Sequence, residues 1–306
     1  EQILKLLNKI KKITLSNDAK EILNILLLTN SYFPQENISN EQFLKLKHDW
    51  LLKNSDLNLI EEYLTKNQKI KMNDKLIKFL INEYLSNSEL EKACKIFSKI
   101  NYPTDDKYLS KFNIYCLIND NKKEEAQLQF DLKKELGFKD NFFEKKFNYL
   151  MKYDLKIDET ISEKNILDFH LSHRTNPNFI FEPNNSTSKK IWRYLSTSNL
   201  LTSIENVDLE DRQKILSIEK ATHNGNYTED DLFDLYKRFK FNINQLLNVK
   251  QSHKLLMGAE SRALLYQGIL INNEVEKKLE LIKILKDSFN KDGNSHAFNN
   301  ELVKIL

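Results

Sequence analysis

The sequence predicts an all-α fold, an α-solenoid of stacked antiparallel helix hairpins, regular in its first half and irregular in its second. Three observations carry this reading. Only 5 Gly and 4 Pro punctuate 306 residues, whereas strands need frequent tight turns rich in both. Apolar residues recur at helical spacing along the chain, the pattern of helices with one buried face. Part of the chain also repeats itself every 33 residues, the mark of an array of similar units.

Composition narrows the class. A hydrophobic fraction of 40% against 30% charged residues is that of a globular chain. The net charge is only +3. Residues 1–150 carry 25 basic and 22 acidic side chains, and residues 151–306 carry 22 of each. Neither half concentrates the positive charge that phosphate neutralisation demands, so no nucleic-acid partner is expected. The longest apolar run, ILNILLL at residues 22–28, is too short for a membrane span. The chain opens on Glu1 rather than Met, and removal of an upstream piece is expected.

Taken in order, the first elements are the repeats. Three hexamers align: SDLNLI from Ser55, SELEKA from Ser88 and NKKEEA from Asn121. At the same interval Phe43, Leu76 and Leu109 correspond, as do Leu46, Phe79 and Phe112. So do Leu51, Tyr84 and Leu117, then Ile60, Ala93 and Ala126, then Leu64, Phe97 and Phe130. Each unit reads as two antiparallel helices joined by a short polar turn. Asp56, Glu89 and Glu124 fall at the start of each second helix, where a carboxylate suits the positive end of the helix dipole. Ala93 and Ala126 are small where paired helices cross, and Phe97 and Phe130 follow four residues later on the same face.

The segment FLINEYLSNSELEKACKIFSKINYP, with Ala93, Phe97 and the closing Pro103, resembles the tetratricopeptide repeat. The resemblance spans roughly residues 40–136. It departs from the family pattern at Ile60, where alanine is usual, and at Ile114, where glycine or alanine is usual. It implies a superhelix whose concave groove holds another protein or peptide. The stretches SYFPQENISNEQFLKLKHDWLLKN and DLKKELGFKDNFFEKKFNYLM give a second resemblance, to uncharacterised exported helical-repeat proteins of alphaproteobacteria. That one implies a compartment and no activity.

Beyond Tyr153 the strict period is lost. SEKNILDFHLSH reads as one helix, and RTNPNFIFEPNNSTS, which holds half of the prolines, reads as a boundary. The expected organisation is a repeat region over 1–153, a helix and Pro/Asn-rich connector over 154–190, and irregular helical pairs over 191–306. Helices resume in KKIWRYLSTSNLL, LEDRQKILSIEKATHN and TEDDLFDLYKRF. In the last, Thr228 is an expected N-cap and Asp231 its capping-box partner. AESRALLYQGILI and NEVEKKLELIKILKDSF form a hairpin around Asn272 and Asn273, and NNELVKIL closes the array.

Candidate chemistry is sparse. His170 and His173 stand at i, i+3 beside Asp168, but no further ligand has supporting spacing, so no metal is expected. NGNYTEDDLFD is dense in acids yet lacks the ligand spacing of a calcium loop, and reads as capping plus a solvated face. No Gly-x-Ser-x-Gly elbow, phosphate loop or Cys-x-x-Cys pair occurs. No catalytic residue and no cofactor is expected. Trp192 with Arg193, and Arg262 with Tyr266 four residues on, are the candidate partner-binding anchors, because such pairs are enriched in interface hot spots. At helical spacing, core packing is their competing role.

The expected function is therefore a non-enzymatic scaffold or adaptor for another protein. The alternatives are an accessory superhelical module of a cell-wall-active enzyme complex and, less favoured by the charge balance, an RNA-binding repeat protein. The two cysteines bear on compartment. Cys94 follows the Ala93 crossing position and Cys116 precedes the Leu117 position of the next helix, and stacking makes those two helices neighbours. They are buried free thiols in a cytoplasmic protein and a disulfide in an oxidising space. The resemblance to exported proteins implies the disulfide and a periplasmic location, with cytoplasm the alternative.

Overall fold

The computed structural model describes residues 5–6, 9–10, 13, 15–29, 36–54, 56–67, 74–100, 105–184 and 186–305. Ser55 and Pro103, both cited above for the repeat, lie outside the described residues. Seventeen α-helices and no strand occur among the described residues. The chain divides into two compact units, residues 1–177 and 178–306.

The first unit contains α1 (Asn17–Leu28), α2 (Asn40–Asn54), α3 (Leu57–Lys66), α4 (Asp74–Ser86), α5 (Leu90–Ile100), α6 (Lys107–Asn119), α7 (Lys123–Glu135), α8 (Asn141–Met151) and α9 (Ile166–Arg174). Helices α3, α5 and α7 begin at 57, 90 and 123, and α4 and α6 at 74 and 107. Both intervals are the 33 residues of the sequence repeat. Helix α4 packs against α5 and α6 against α7, and α5 lies against α6.

The turns repeat too. After α4, Ser88 donates its N–H to the Leu85 carbonyl and Glu89 to Tyr84. After α6, Asn121 donates to Ile118 and Lys122 to Leu117. Ser88 and Asn121 both have positive φ, 62° and 60°. This paired closure satisfies the last carbonyls of a helix and needs one left-handed residue. Side-chain caps set the starts: Asp56 accepts from Leu59 N–H, Asp106 from Tyr108 and Leu109, and Asp140 from Phe143. The repeat-aligned Ile60, Ala93, Ala126, Leu64, Phe97 and Phe130 are all buried.

Helix α9, which the sequence placed in a connector, is part of the first unit. It packs on α4 and α8, and every residue from Ile166 to Ser172 is buried. Its Asp168 receives Lys111 Nζ at 2.6 Å, and Lys111 also reaches Asp140 at 2.9 Å. Tyr115 and His170 meet at 3.0 Å. Lys146, fully buried on α8, donates to the Asp158 carbonyl and ties down the irregular segment that leads to α9. A buried cation needs such partners, since an unpaired one is costly to desolvate.

The second unit contains α10 (Lys189–Thr197), α11 (Arg212–His223), α12 (Glu229–Lys237), α13 (Ile243–Leu247), α14 (Val249–Ser252), α15 (Gly258–Ile271), α16 (Val275–Lys291) and α17 (Asn300–Ile305). Its organiser is α15, which touches α11, α12, α13, α14 and α16. AESRALLYQGILI is apolar or small almost all round, as a helix surrounded by others must be. Gly268 marks the tightest approach: a Cβ there would stand 2.6 Å from Val249 Cγ2. The α15–α16 hairpin turns at Asn272–Glu274, and Thr228 and Asp231 form a capping box at the start of α12.

Candidate functional site

Three of the four candidate anchors, Trp192, Arg262 and Tyr266, are buried. Arg262 is 1% exposed in the middle of α15. Its Nε and Nη2 donate to the two carboxylate oxygens of Glu219 on α11 at 3.0 and 2.5 Å. Nη1 reaches Asp292 at 2.6 Å and Ser288 at 3.1 Å, and the guanidinium lies over the Phe289 ring. Tyr236 donates to the same Glu219 at 2.5 Å. Burial lifts Glu219 above the usual carboxylate range, while Arg262 and Tyr236 pull it back. Tyr266, also 1% exposed, donates to Glu301 at 2.7 Å. These two side chains fasten α15 to its neighbours, which corrects their reading as surface anchors. A fully buried charge keeps its ionised form only by such pairing.

Trp192 and Arg193 lie on α10. Trp192 is buried and packs edge-on against Tyr227, ring centroids 6.4 Å apart. Arg193 is half-buried. Tyr227 in turn borders a concavity of the second unit, so Trp192 backs a candidate site without facing it.

That site is a pair of adjoining open clefts that share Thr202. One, of about 680 Å³, is lined by Ser196, Asn199, Ser203, Glu205, Asn226 and Tyr227, among others. The second, of about 720 Å³, is lined by Asn184, Ser186, Asn206, Asp208, Gln213 and Lys214, among others. The wall between them is the irregular segment from Leu201 to Asp208, and it is pinned at several points. Arg238 donates from Nη1 to the Ile204 carbonyl at 2.5 Å and from Nη2 to Val207 at 2.8 Å. Tyr227 donates to the Thr202 carbonyl at 3.0 Å, and Thr202 Oγ1 to Glu182 at 2.9 Å. Lys214 pairs with Glu182.

Burial and the nearby Asp231 push the Tyr227 hydroxyl up to about 12, so it remains a neutral donor across physiological pH. The cleft therefore offers hydroxyls and amides on a fixed wall, with most of its charged groups already engaged in ion pairs or hydrogen bonds. Such a surface hydrogen-bonds a polar chain without large reorganisation. The sequence signal for it is faint: NGNYTEDDLFD reads as capping plus a solvated face, the segment from Thr202 to Asp208 falls between two expected helices, and nothing in the spacing shows that the two face each other.

The other sequence-flagged groups have structural employment. The acidic run after Tyr227 is used internally, with Glu229 accepting from the N–H groups of Asn299, Asn300 and Glu301, and Asp230 pairing with Lys304. Among the described residues no group of three or more His, Cys, Asp or Glu is placed to hold a metal, and no helix is long and apolar enough to cross a membrane. Cys94 on α5 and Cys116 on α6 form a disulfide, with their Cα atoms 5.4 Å apart. No family model, no curated protein and no solved structure matches the chain.

Proposed function

We propose that this protein is a non-enzymatic interaction scaffold: a solenoid of tetratricopeptide-like hairpins in its first unit, and in its second unit a cleft that holds a segment of another protein. The observation that carries the reading is the recurrence of helix starts at 57, 90 and 123 with the same left-handed turn at Ser88 and Asn121. Units that repeat in length and turn geometry stack into arrays with long exposed faces, and such arrays work by binding along those faces. Two further facts support it. Four buried ionisable groups, Arg262, Glu219, Lys111 and Asp168, are tied to one another in internal pairs. The cleft wall is held in place by main-chain hydrogen bonds from Arg238 and Tyr227. The Cys94–Cys116 disulfide supports residence in an oxidising compartment such as the periplasm.

Site-specific photo-cross-linking in native cells tests this. A photoreactive side chain at Ser203, in the cleft, is expected to yield one discrete protein adduct. The same group at Lys99, on an exposed charged face, is expected to yield none of that size. Equal labelling at both positions, or turnover of a substrate that is lost on Ser203→Arg, would overturn the reading.

A further inference from the structure

The outer face of α7 departs from the repeat that contains it. Leu128, Leu132 and Leu136 follow one another at four-residue steps, and they are 59%, 44% and 77% exposed. One repeat earlier the first two positions are Lys95 and Lys99, and two repeats earlier they are Glu62 and Lys66. All four are exposed, and Glu62 and Lys66 form an ion pair. A solvated charged face is thus the rule at these positions, and the third repeat replaces it with a leucine row.

Charge along the row is one-sided. At 3.6 residues per turn the three leucines span about 80° of the helix, and Glu135, Glu124 and Asp131 fall along one edge, roughly 20–60° beyond Leu128. Glu125 falls within the leucine row itself, between Leu132 and Leu136 around the helix. The basic residues of the helix point elsewhere: Lys133 pairs with Asp105, and Lys134 pairs with Glu144 and lies over Phe130. Among the described residues Glu124, Glu125 and Glu135 have no cationic partner.

We infer that this face is a docking surface for a basic amphipathic helix of a partner protein, its leucine-type side chains on the row and its lysines or arginines on the acidic edge. The inference rests on the scaffold reading and gives one partner its chemistry. Complementary charge selects this occupant over the others. A second copy docked antiparallel would bring one acidic edge against another, one docked parallel would offer those edges no cation from this helix, and an anionic bilayer would be repelled by the same carboxylates. Helix-on-helix docking through apolar residues at i, i+4 spacing is a common recognition mode.

The probe is a fluorescent 18-residue amphipathic peptide of Leu and Lys, titrated by anisotropy into the full chain. Saturable binding is expected, weakened at least tenfold by Leu128→Lys with Leu132→Lys, the residues that the second repeat carries there. Glu124→Gln with Glu135→Gln is expected to weaken it at least threefold, and raised salt to weaken it further. Both double variants change exposed positions, and circular dichroism melts confirm that they fold. Absence of binding, equal binding of a Leu/Glu peptide, or unchanged affinity in the leucine variants would overturn the inference. So would capture of the chain by anionic vesicles, or a dimer that the leucine variants dissolve. Ser203→Arg, in the second unit's cleft, is expected to leave peptide binding intact. Loss of binding in that variant alone would sink the α7 assignment and leave the scaffold reading standing, whereas absence of Ser203 adducts in cells bears on the scaffold reading only.

Discussion

The two units reach a buried core by different routes. In the first, α3, α5 and α7 meet similar neighbours at 33-residue intervals, so one set of contacts is used repeatedly and small residues recur at the crossings. In the second, a single helix, α15, is enclosed on nearly every side and holds a guanidinium in its centre. The enclosed helix concentrates stability in a few long-range contacts, above all Arg262 with Glu219, 43 residues apart.

The largest expected effect breaks that second arrangement. Arg262→Leu leaves Glu219 buried without its cation, which costs about 3–5 kcal/mol. Adding Glu219→Leu restores most of the loss, because removing both partners leaves no orphaned charge. Urea unfolding followed by a probe in the second unit checks both. A loss under about 1 kcal/mol for the single variant would mean that the ion pair does not hold α15.

Next in size is the disulfide, the first unit's one covalent contact between successive hairpins. Cys94→Ala with Cys116→Ala opens a closure across 22 residues of sequence and costs about 3 kcal/mol in the chain-entropy description. The loss is expected in the first unit's transition alone. Thiol titration of the denatured, unreduced chain gives zero free thiols if the bond forms in cells, and two if the cysteines stay reduced.

Legibility follows the same division. Repeat spacing predicted the helix starts and the buried faces of the first unit because each position is seen three times. Ala93 and Ala126 were found this way, and so was the cysteine pair, since stacking makes α5 and α6 neighbours. In the second unit local chemistry was readable and partnership was not. The Thr228–Asp231 capping box lies within four residues and was found. Arg262 and Tyr266 read in sequence either as partner-binding anchors or as core, because nothing near them shows Glu219 or Glu301 at 43 and 35 residues' distance. The cleft is illegible for the same reason, its facing segments lying 16 to 20 residues apart at their nearest. Helix α9 was read correctly as a helix, but its place in the core depends on Lys111, 57 residues earlier.

A pH titration sharpens the contrast further, because α9 also carries a histidine. Burial, then the nearby Arg174 and His173, pushes His170 down to about 3 from the ordinary 6.5. The unfolded chain takes up a proton near pH 6.5 that the folded unit resists until near pH 3. Stability is therefore complete above pH 6.5 and declines as pH falls through that window, by up to about 1.4 kcal/mol per unit. Going from pH 7 to 5 is expected to cost the first unit roughly 2 kcal/mol, and His170→Gln to flatten most of the slope. An unchanged slope in that variant would assign the acid sensitivity elsewhere.

The smallest effect concerns helix ends that close alike with different residues; glycine and non-glycine closures occur in both units, Gly137 and Lys152 in the first and Gly225 and Asn199 in the second. Gly225 and Gly293 close α11 and α16 in the second unit with φ of 75° and 73°, whereas the first unit places Lys152 at φ 65° after α8. The hydrogen bonding is the same: Lys152 donates to Tyr149 and Tyr153 to Asn148, as Gly225 donates to Thr222 and Asn226 to Ala221. A left-handed residue with a Cβ costs about 1–2 kcal/mol relative to glycine, part of which glycine returns as unfolded-chain entropy. Lys152 is exposed, so little else is lost with its side chain. Lys152→Gly is then expected to stabilise the first unit by about 0.5–1 kcal/mol. Gly225→Ala is the mirror experiment, since a Cβ there meets nothing within 4 Å and the cost isolates backbone strain at about 1 kcal/mol. Opposite shifts of the two melting transitions, each confined to its own unit, are the expected result. Two shifts of the same sign would show that helix closure at one of these turns does not depend on the left-handed conformation.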